Sequence, residues 1–179
     1  MDQTQTDLVS VFLALPESRY LLSVPKLGVM TAAIILAEIG DPNRYHNARQ
    51  LIKLAGTQSV PNTSGRKSHS LTPMSKKGRP RLRTALFFAV MRLIQSDDAF
   101  PCAGAGTRAQ QYQRFQQREE NPLTKMQALG ALMNKLLRVL WALMSRRTCY
   151  DPDLASGAWE TDFTDNVSGS RSDQRKPAT

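Results

Sequence analysis

Four serines stand in one cationic stretch of this chain: Ser64, Ser68, Ser70 and Ser75, within Pro61–Arg83, PNTSGRKSHSLTPMSKKGRPRLR. The stretch holds seven Lys/Arg (Arg66, Lys67, Lys76, Lys77, Arg79, Arg81, Arg83), one His (His69) and no Asp or Glu. A serine that attacks a phosphodiester needs its proton removed and the pentacoordinate charge stabilised. The guanidinium groups could supply the second requirement and His69 the first. Residue types do not choose among the four serines, and a loop serine is equally at home as a turn former.

Other chemistries fare worse. Carboxylate-held metal needs convergent acids, yet no Asp or Glu lies between Asp41 and Asp97. Two histidines, His46 and His69, do not make a metal site, and Cys102 and Cys149 show neither a CxxC pairing nor a disulfide framework. No metal ligand is therefore assigned. Tyr20, Tyr45, Tyr112 and Tyr150 lack the grouped Arg and His partners of a tyrosine recombinase.

Charge points to the partner. The chain has 179 residues, a net charge of +9 and a pI near 10.0. Eleven Lys/Arg fall between Asp41 and Asp97, and Asp151–Thr179 carries six acids against three bases, so the body is more basic than the average. Arg79, Arg81 and Arg83 crowd the start of a helix whose first residue is Pro80. A helix N-terminus is already positive, and each cation there costs about 0.3–1 kcal/mol. A polyanion reverses that sign, because free N–H groups and guanidinium forks both bind phosphate. Nucleic acid is the expected partner, against the alternative of a solvated basic loop.

The elements that would position this loop read as helices. Asp7–Leu15 is short and apolar and fits a helix end or a strand, and Glu17–Leu22 reads as a short helix. The next run, VPKLGVMTAAIILAEIGDP, predicts a tight turn with Pro25 and Gly28 and a helix Met30–Ile39 closed by Gly40. This is helix-hairpin-helix-like, a device that aims backbone N–H groups at phosphates, with Lys26 where such turns often have a first glycine. Lys26 and Gly28 are its candidate contacts, and an ordinary core hairpin is the alternative. Asn47–Ala55 predicts a helix capped by Asn47 and stopped by Gly56. After the long loop, Pro80–Gln95 buries Leu82, Ala85, Leu86, Ala89 and Leu93 at helical spacing. Arg108–Glu119 docks through Tyr112 and Phe115. Leu123–Arg146 carries a buried stripe of Met126, Leu129, Met133, Leu136, Leu137, Leu140 and Met144, flanked by Trp141. Its Lys125, Lys135 and Arg138 argue against a membrane span. The expected architecture is all-α: a lead-in helix over residues 1–22, a helical domain over 23–150 with a basic loop laid across it, and a disordered acidic tail over 151–179.

SVPKLGVMTAAIILAEIGDPNRYHNARQLIKLAG, then TSG, MSKKGRPRLRTALFFAVM and KMQALGALMNKLLRVLWALM with TCYDP, resemble in order the C-terminal domain of the insertion sequence one-ten transposase family, related to the Piv and MooV DNA invertases. The resemblance runs from about Ser23 to Pro152. It implies DNA transposition by serine-mediated strand transfer. The serine of the SG-type motif is Ser64, beside Gly65, and Arg66, Lys67, Lys76, Lys77, Arg79, Arg81 and Arg83 form the matching basic stretch. Family members pair this domain with an N-terminal RuvC-like domain bearing four acids and Mg2+, so no cofactor is expected in this chain itself. DNA is the implied partner, with a guide RNA in some members, and a homo-oligomer or an intact transposase as further partners in the cytoplasm. The sequence shows no acidic domain, so a truncated form, inactive alone, is expected. A non-catalytic nucleic-acid-binding module and an inert remnant are the competing readings.

Overall fold

The computed structural model describes residues 3–60, 63–64, 67–68, 73–95, 108–119 and 122–151. Seven α-helices stand among the described residues: α1 (Gln3–Ala14), α2 (Ser18–Leu22), α3 (Val29–Ile39), α4 (Ala48–Ala55), α5 (Pro80–Gln95), α6 (Arg108–Gln116) and α7 (Lys125–Arg146). Two short strands, β1 (Thr63–Ser64) and β2 (Lys67–Ser68), pair antiparallel between α4 and α5. The fold is all-α, as expected. The ambiguous Asp7–Leu15 run is helical as far as Ala14, the end of α1. The predicted tail lies outside the described residues from 152 onward.

The helices begin and end where local chemistry says they should. Asn47 caps α4 by accepting from the Arg49 N–H at 2.9 Å, and Gly56 stops it at φ 67°. α7 opens on a capping box: Thr124 Oγ1 accepts from Gln127 N–H, and Gln127 Oε1 accepts from Thr124 N–H at 3.0 Å. α3 closes at Gly40, whose φ of 73° suits a residue without Cβ.

α5 is the central helix. Its buried face of Leu82, Ala85, Leu86, Ala89, Val90 and Leu93 meets α3 on one side and α7 on the other. Ala32 and Ala33 on α3 are fully buried and small, which lets α3 lie close against it. α4 packs on α7, and Tyr112 and Phe115 of α6 rest half-buried on the same core. On α7 the expected stripe is buried except for Met126, which is 64% exposed. Met126 lies in the first turn of α7, ahead of the point where the stripe becomes buried at Leu129. α7 is long and apolar enough to cross a membrane, but 61% of its most apolar window is buried inside the bundle. Two polar ties join the elements: Trp141 Nε1 donates to the Tyr45 carbonyl at 3.1 Å, and the Tyr150 N–H donates to Ser23 Oγ at 2.7 Å.

Candidate functional site

The basic loop is built as an arm with a paired stem. The stem leaves α4 at Gly56 and returns to α5 at Arg79. Lys76 N–H donates to the Gly56 carbonyl (2.9 Å), Ser75 N–H to Gln58 (2.9 Å) and Val60 N–H to Pro73 (3.0 Å), with Ser59 bridged to Met74. Further out, β1 and β2 pair Thr63 with Ser68 and Ser64 with Lys67. Composition alone reads as loop here, because two-residue strands are too short to show alternation.

Three anchors hold the stem on the helices. At Gly78, a Cβ would meet the Leu54 carbonyl and would lie 2.6 Å from the Gly56 nitrogen, so only glycine permits this backbone approach. The Arg79 N–H then donates to the Leu54 carbonyl at 2.7 Å. The second anchor is polar. Buried Thr57 donates through Oγ1 to Asn134 Oδ1 (2.5 Å), and Asn134 Nδ2 donates back to the Thr57 carbonyl (3.2 Å), tying the stem to α7. The third is steric: the Met74 side chain lies against Gly130, where an added Cβ would come within 3.0 Å of its terminal methyl. Sequence reasoning missed Thr57, Asn134, Met74 and Gly130, since their partners are remote in sequence and no local pattern marks them. Gly78 carried a faint signal, a glycine two residues before a helix-starting proline.

The nominated residues fall into three groups. Ser64 sits in β1 opposite Lys67 in β2, while Gly65 and Arg66 lie outside the described residues. Lys76, Lys77, Arg79 and Arg81 are exposed along the return strand and the first turn of α5, and Arg83 is partly covered. Lys26 is exposed in the α2–α3 turn, and Gly28 precedes α3. The structure does not use these cations alike. Arg79 Nη1 donates to the Glu38 carbonyl (2.5 Å) and lies 3.5 Å from its carboxylate. Arg83 Nη1 donates to the carbonyls of Ala55 (3.0 Å) and Lys76 (3.3 Å), capping the end of α4 and bracing the stem. Each guanidinium has five donors, so both retain capacity beyond these bonds.

Lys26 (φ 59°) and Lys76 (φ 55°) occupy the left-handed region, a conformation costing about 1–2 kcal/mol for a residue with a Cβ. Both are lysines, where glycine would relieve the strain. One further cation reaches the α2–α3 turn: Arg92 of α5, whose Nη1 would lie 2.5 Å from a Cβ placed on Gly28. The sequence reading did not single it out.

An arrangement of this kind can grip an anion with the exposed cations of the stem and of the first turn of α5. It does not fit a magnesium site, because among the described residues no three His, Cys, Asp or Glu side chains converge.

Comparisons with known proteins match part of the chain to one family. The pattern described as Transposase IS116/IS110/IS902 family matches residues 18–101. A "Probable family 20 transposase" of Pseudomonas aeruginosa is 31% identical over 133 residues, covering 74% of this chain and 36% of that protein. A "Pilin gene-inverting protein" of Moraxella lacunata is 29% identical over 141 residues, 76% of this chain and 40% of its own length. The "Transposase for insertion sequence element IS1111A" of Coxiella burnetii is 28% identical over 147 residues, 82% and 38%. The chain thus spans well under half the length of these relatives.

Proposed function

Residues 18–101 are a domain of the IS116/IS110/IS902 transposase family, and from that premise we propose that the chain binds DNA across its basic arm and takes part in transposition with Ser64 as the strand-transfer nucleophile. The observation that carries this reading is the arm itself. A long stretch without acids is fixed to α4, α5 and α7 by Gly78, Thr57 and Met74, and Ser64 lies in its paired outer part beyond exposed Lys76, Lys77 and Arg81. Rigid support of a charged arm is what positioning a phosphodiester requires.

In the proposed step Ser64 Oγ bonds to a DNA phosphorus, its proton passes to a base, and the strand's own oxygen leaves the phosphorus. A serine–phosphate bond then stores the strand end for rejoining. Arg66, Lys67, Lys76, Lys77, Arg79, Arg81 and Arg83 oppose the charge that builds on the pentacoordinate phosphorus. Lys26 and Gly28 hold a second stretch of phosphate at the helix-hairpin-helix-like turn. Mg2+ chemistry belongs, by the family resemblance, to an acidic domain. A guide RNA and a second copy of the chain complete the proposed assembly.

The test is a covalent adduct. Incubated with an element end and guide RNA, the protein should yield a protein–DNA species that survives denaturing electrophoresis and disappears in Ser64→Ala. An adduct unchanged by that substitution removes Ser64 from the role. The second reading, a non-catalytic DNA-binding module, is favoured by the partial use of Arg79 and Arg83 in bracing the fold. It predicts binding without any adduct.

A further inference from the structure

The solvent face of α5 carries an ordered ridge that the sequence reading left unassigned. Arg81, Thr84, Phe88, Arg92 and Gln95 are all exposed and recur at helical spacing on one side of the helix. From Arg81 to Arg92 the ridge runs about 16 Å along the axis. It starts beside the arm's return strand at Arg79 and ends against Gly28 of the α2–α3 turn. Phe88 sits between the two arginines and is 58% exposed. Its ring is not loose: half-buried Phe87 holds it edge-on, with centroids 5.7 Å apart and planes at 76°. Single exposed apolar residues are common on protein surfaces. A preoriented aromatic between two guanidiniums, neither in an ion pair among the described residues, is a more particular arrangement.

We infer that this ridge is a track for an unpaired DNA strand, with Phe88 stacking on a base and Arg81 and Arg92 holding the phosphates on either side. The inference rests on the DNA-binding reading above and deepens it. An aromatic face gains from a base only where the base is unstacked, which a closed duplex does not offer, whereas a single strand offers every base. Interleaved cations and an aromatic are the pattern that follows such a strand. A protein partner fits less well. Covering Phe88 with an apolar patch would bury the charges of Arg81 and Arg92, neither of which has a carboxylate partner among the described residues. Strand transfer also needs DNA whose strands have come apart next to the cut, and the ridge joins the arm to the α2–α3 turn.

The experiment uses the full chain and two fluorescein-labelled probes of one sequence, a single strand and its closed hairpin duplex, with affinities measured across a salt series. Phe88→Ala should weaken the single strand by about 5- to 150-fold, the range for losing one base–aromatic stack, and leave duplex affinity within about twofold. Its salt slope should be unchanged, because no phosphate contact is lost. Phe88→Trp should restore single-strand binding, and Phe88→Leu, which keeps bulk without a ring, should not. Arg92→Gln should instead flatten the single-strand slope by about 0.7. Equal single-strand affinity in Phe88→Ala and wild type overturns the inference, as does an equal loss on both probes. A change of oligomeric state in Phe88→Ala with affinity intact would make the ridge a protein interface and also overturn it. Wild type that binds neither probe at low salt overturns the DNA-binding reading with it, whereas wild type that binds both and ignores Phe88 overturns this inference alone.

Discussion

Gly78 lies so close to Gly56 that a methyl group on the first would sit 2.6 Å from the backbone nitrogen of the second. The obstacle is backbone on a helix end, which cannot swing aside as a side chain can. Gly78→Ala should therefore lower stability by about 1–3 kcal/mol or more, the range for overpacking, and loosen the arm. Gly28→Ala is the control. There the obstacle is the tip of Arg92, so the melting temperature should barely move. Thermal melts of the two variants side by side check the contrast.

Thr57 and Asn134 form a closed pair of hydrogen bonds across 77 residues of sequence. Thr57→Val strands the Asn134 oxygen, while the amide keeps the Thr57 backbone carbonyl, and should cost about 1–3 kcal/mol. Adding Asn134→Leu removes the stranded group, so the double variant should recover part of that loss. A double-mutant cycle by denaturant unfolding measures the coupling, and simple additivity would show that the pair does not act as a unit.

Lys26 sets backbone comfort against charge. At φ 59° a glycine removes the strain of a Cβ, so Lys26→Gly should stabilise the fold by about 1 kcal/mol, taking the lower figure for left-handed strain. The same substitution removes a cation from the α2–α3 turn. If that cation meets a phosphate, DNA affinity falls and the slope of log K against log salt drops by about 0.9 on duplex. A variant that melts higher and binds as before would remove Lys26 from the interface.

Arg81 and Arg83, two residues apart, should behave as different kinds of residue. Arg83→Ala loses charged hydrogen bonds to Ala55 and Lys76 and should destabilise the protein by about 1.5–3 kcal/mol. Arg81→Ala alters an exposed side chain and should leave the melt within about 0.5 kcal/mol while lowering the salt slope of DNA binding. Equal effects on stability would show that the helix end does not divide these roles.

The helices were legible because their signals are local. Asn47 and Gly56 bracket α4, Pro80 opens α5, and the periodicity of Leu82, Leu86 and Leu93 names its buried face. Met126 shows the limit of periodicity: it falls on the stripe of α7 by spacing, yet it stands exposed in the first turn while Ala128 and Leu129 are buried. The stem of the arm was illegible for another reason. Its anchors join Thr57 to Asn134 and Met74 to Gly130, and no spacing rule links residues so far apart. Charge marked the basic surface, but it could not separate Arg83, which braces the fold, from Arg81, which stays in solvent.

Two of the three anchors beneath the arm, Asn134 and Gly130, belong to α7. During translation the cations of the arm leave the ribosome before the helix that seats them has been made. A nascent chain halted after α5 would display its charge on a stem held only at the end of α4, so a firm hold on any anion arrives only late in synthesis.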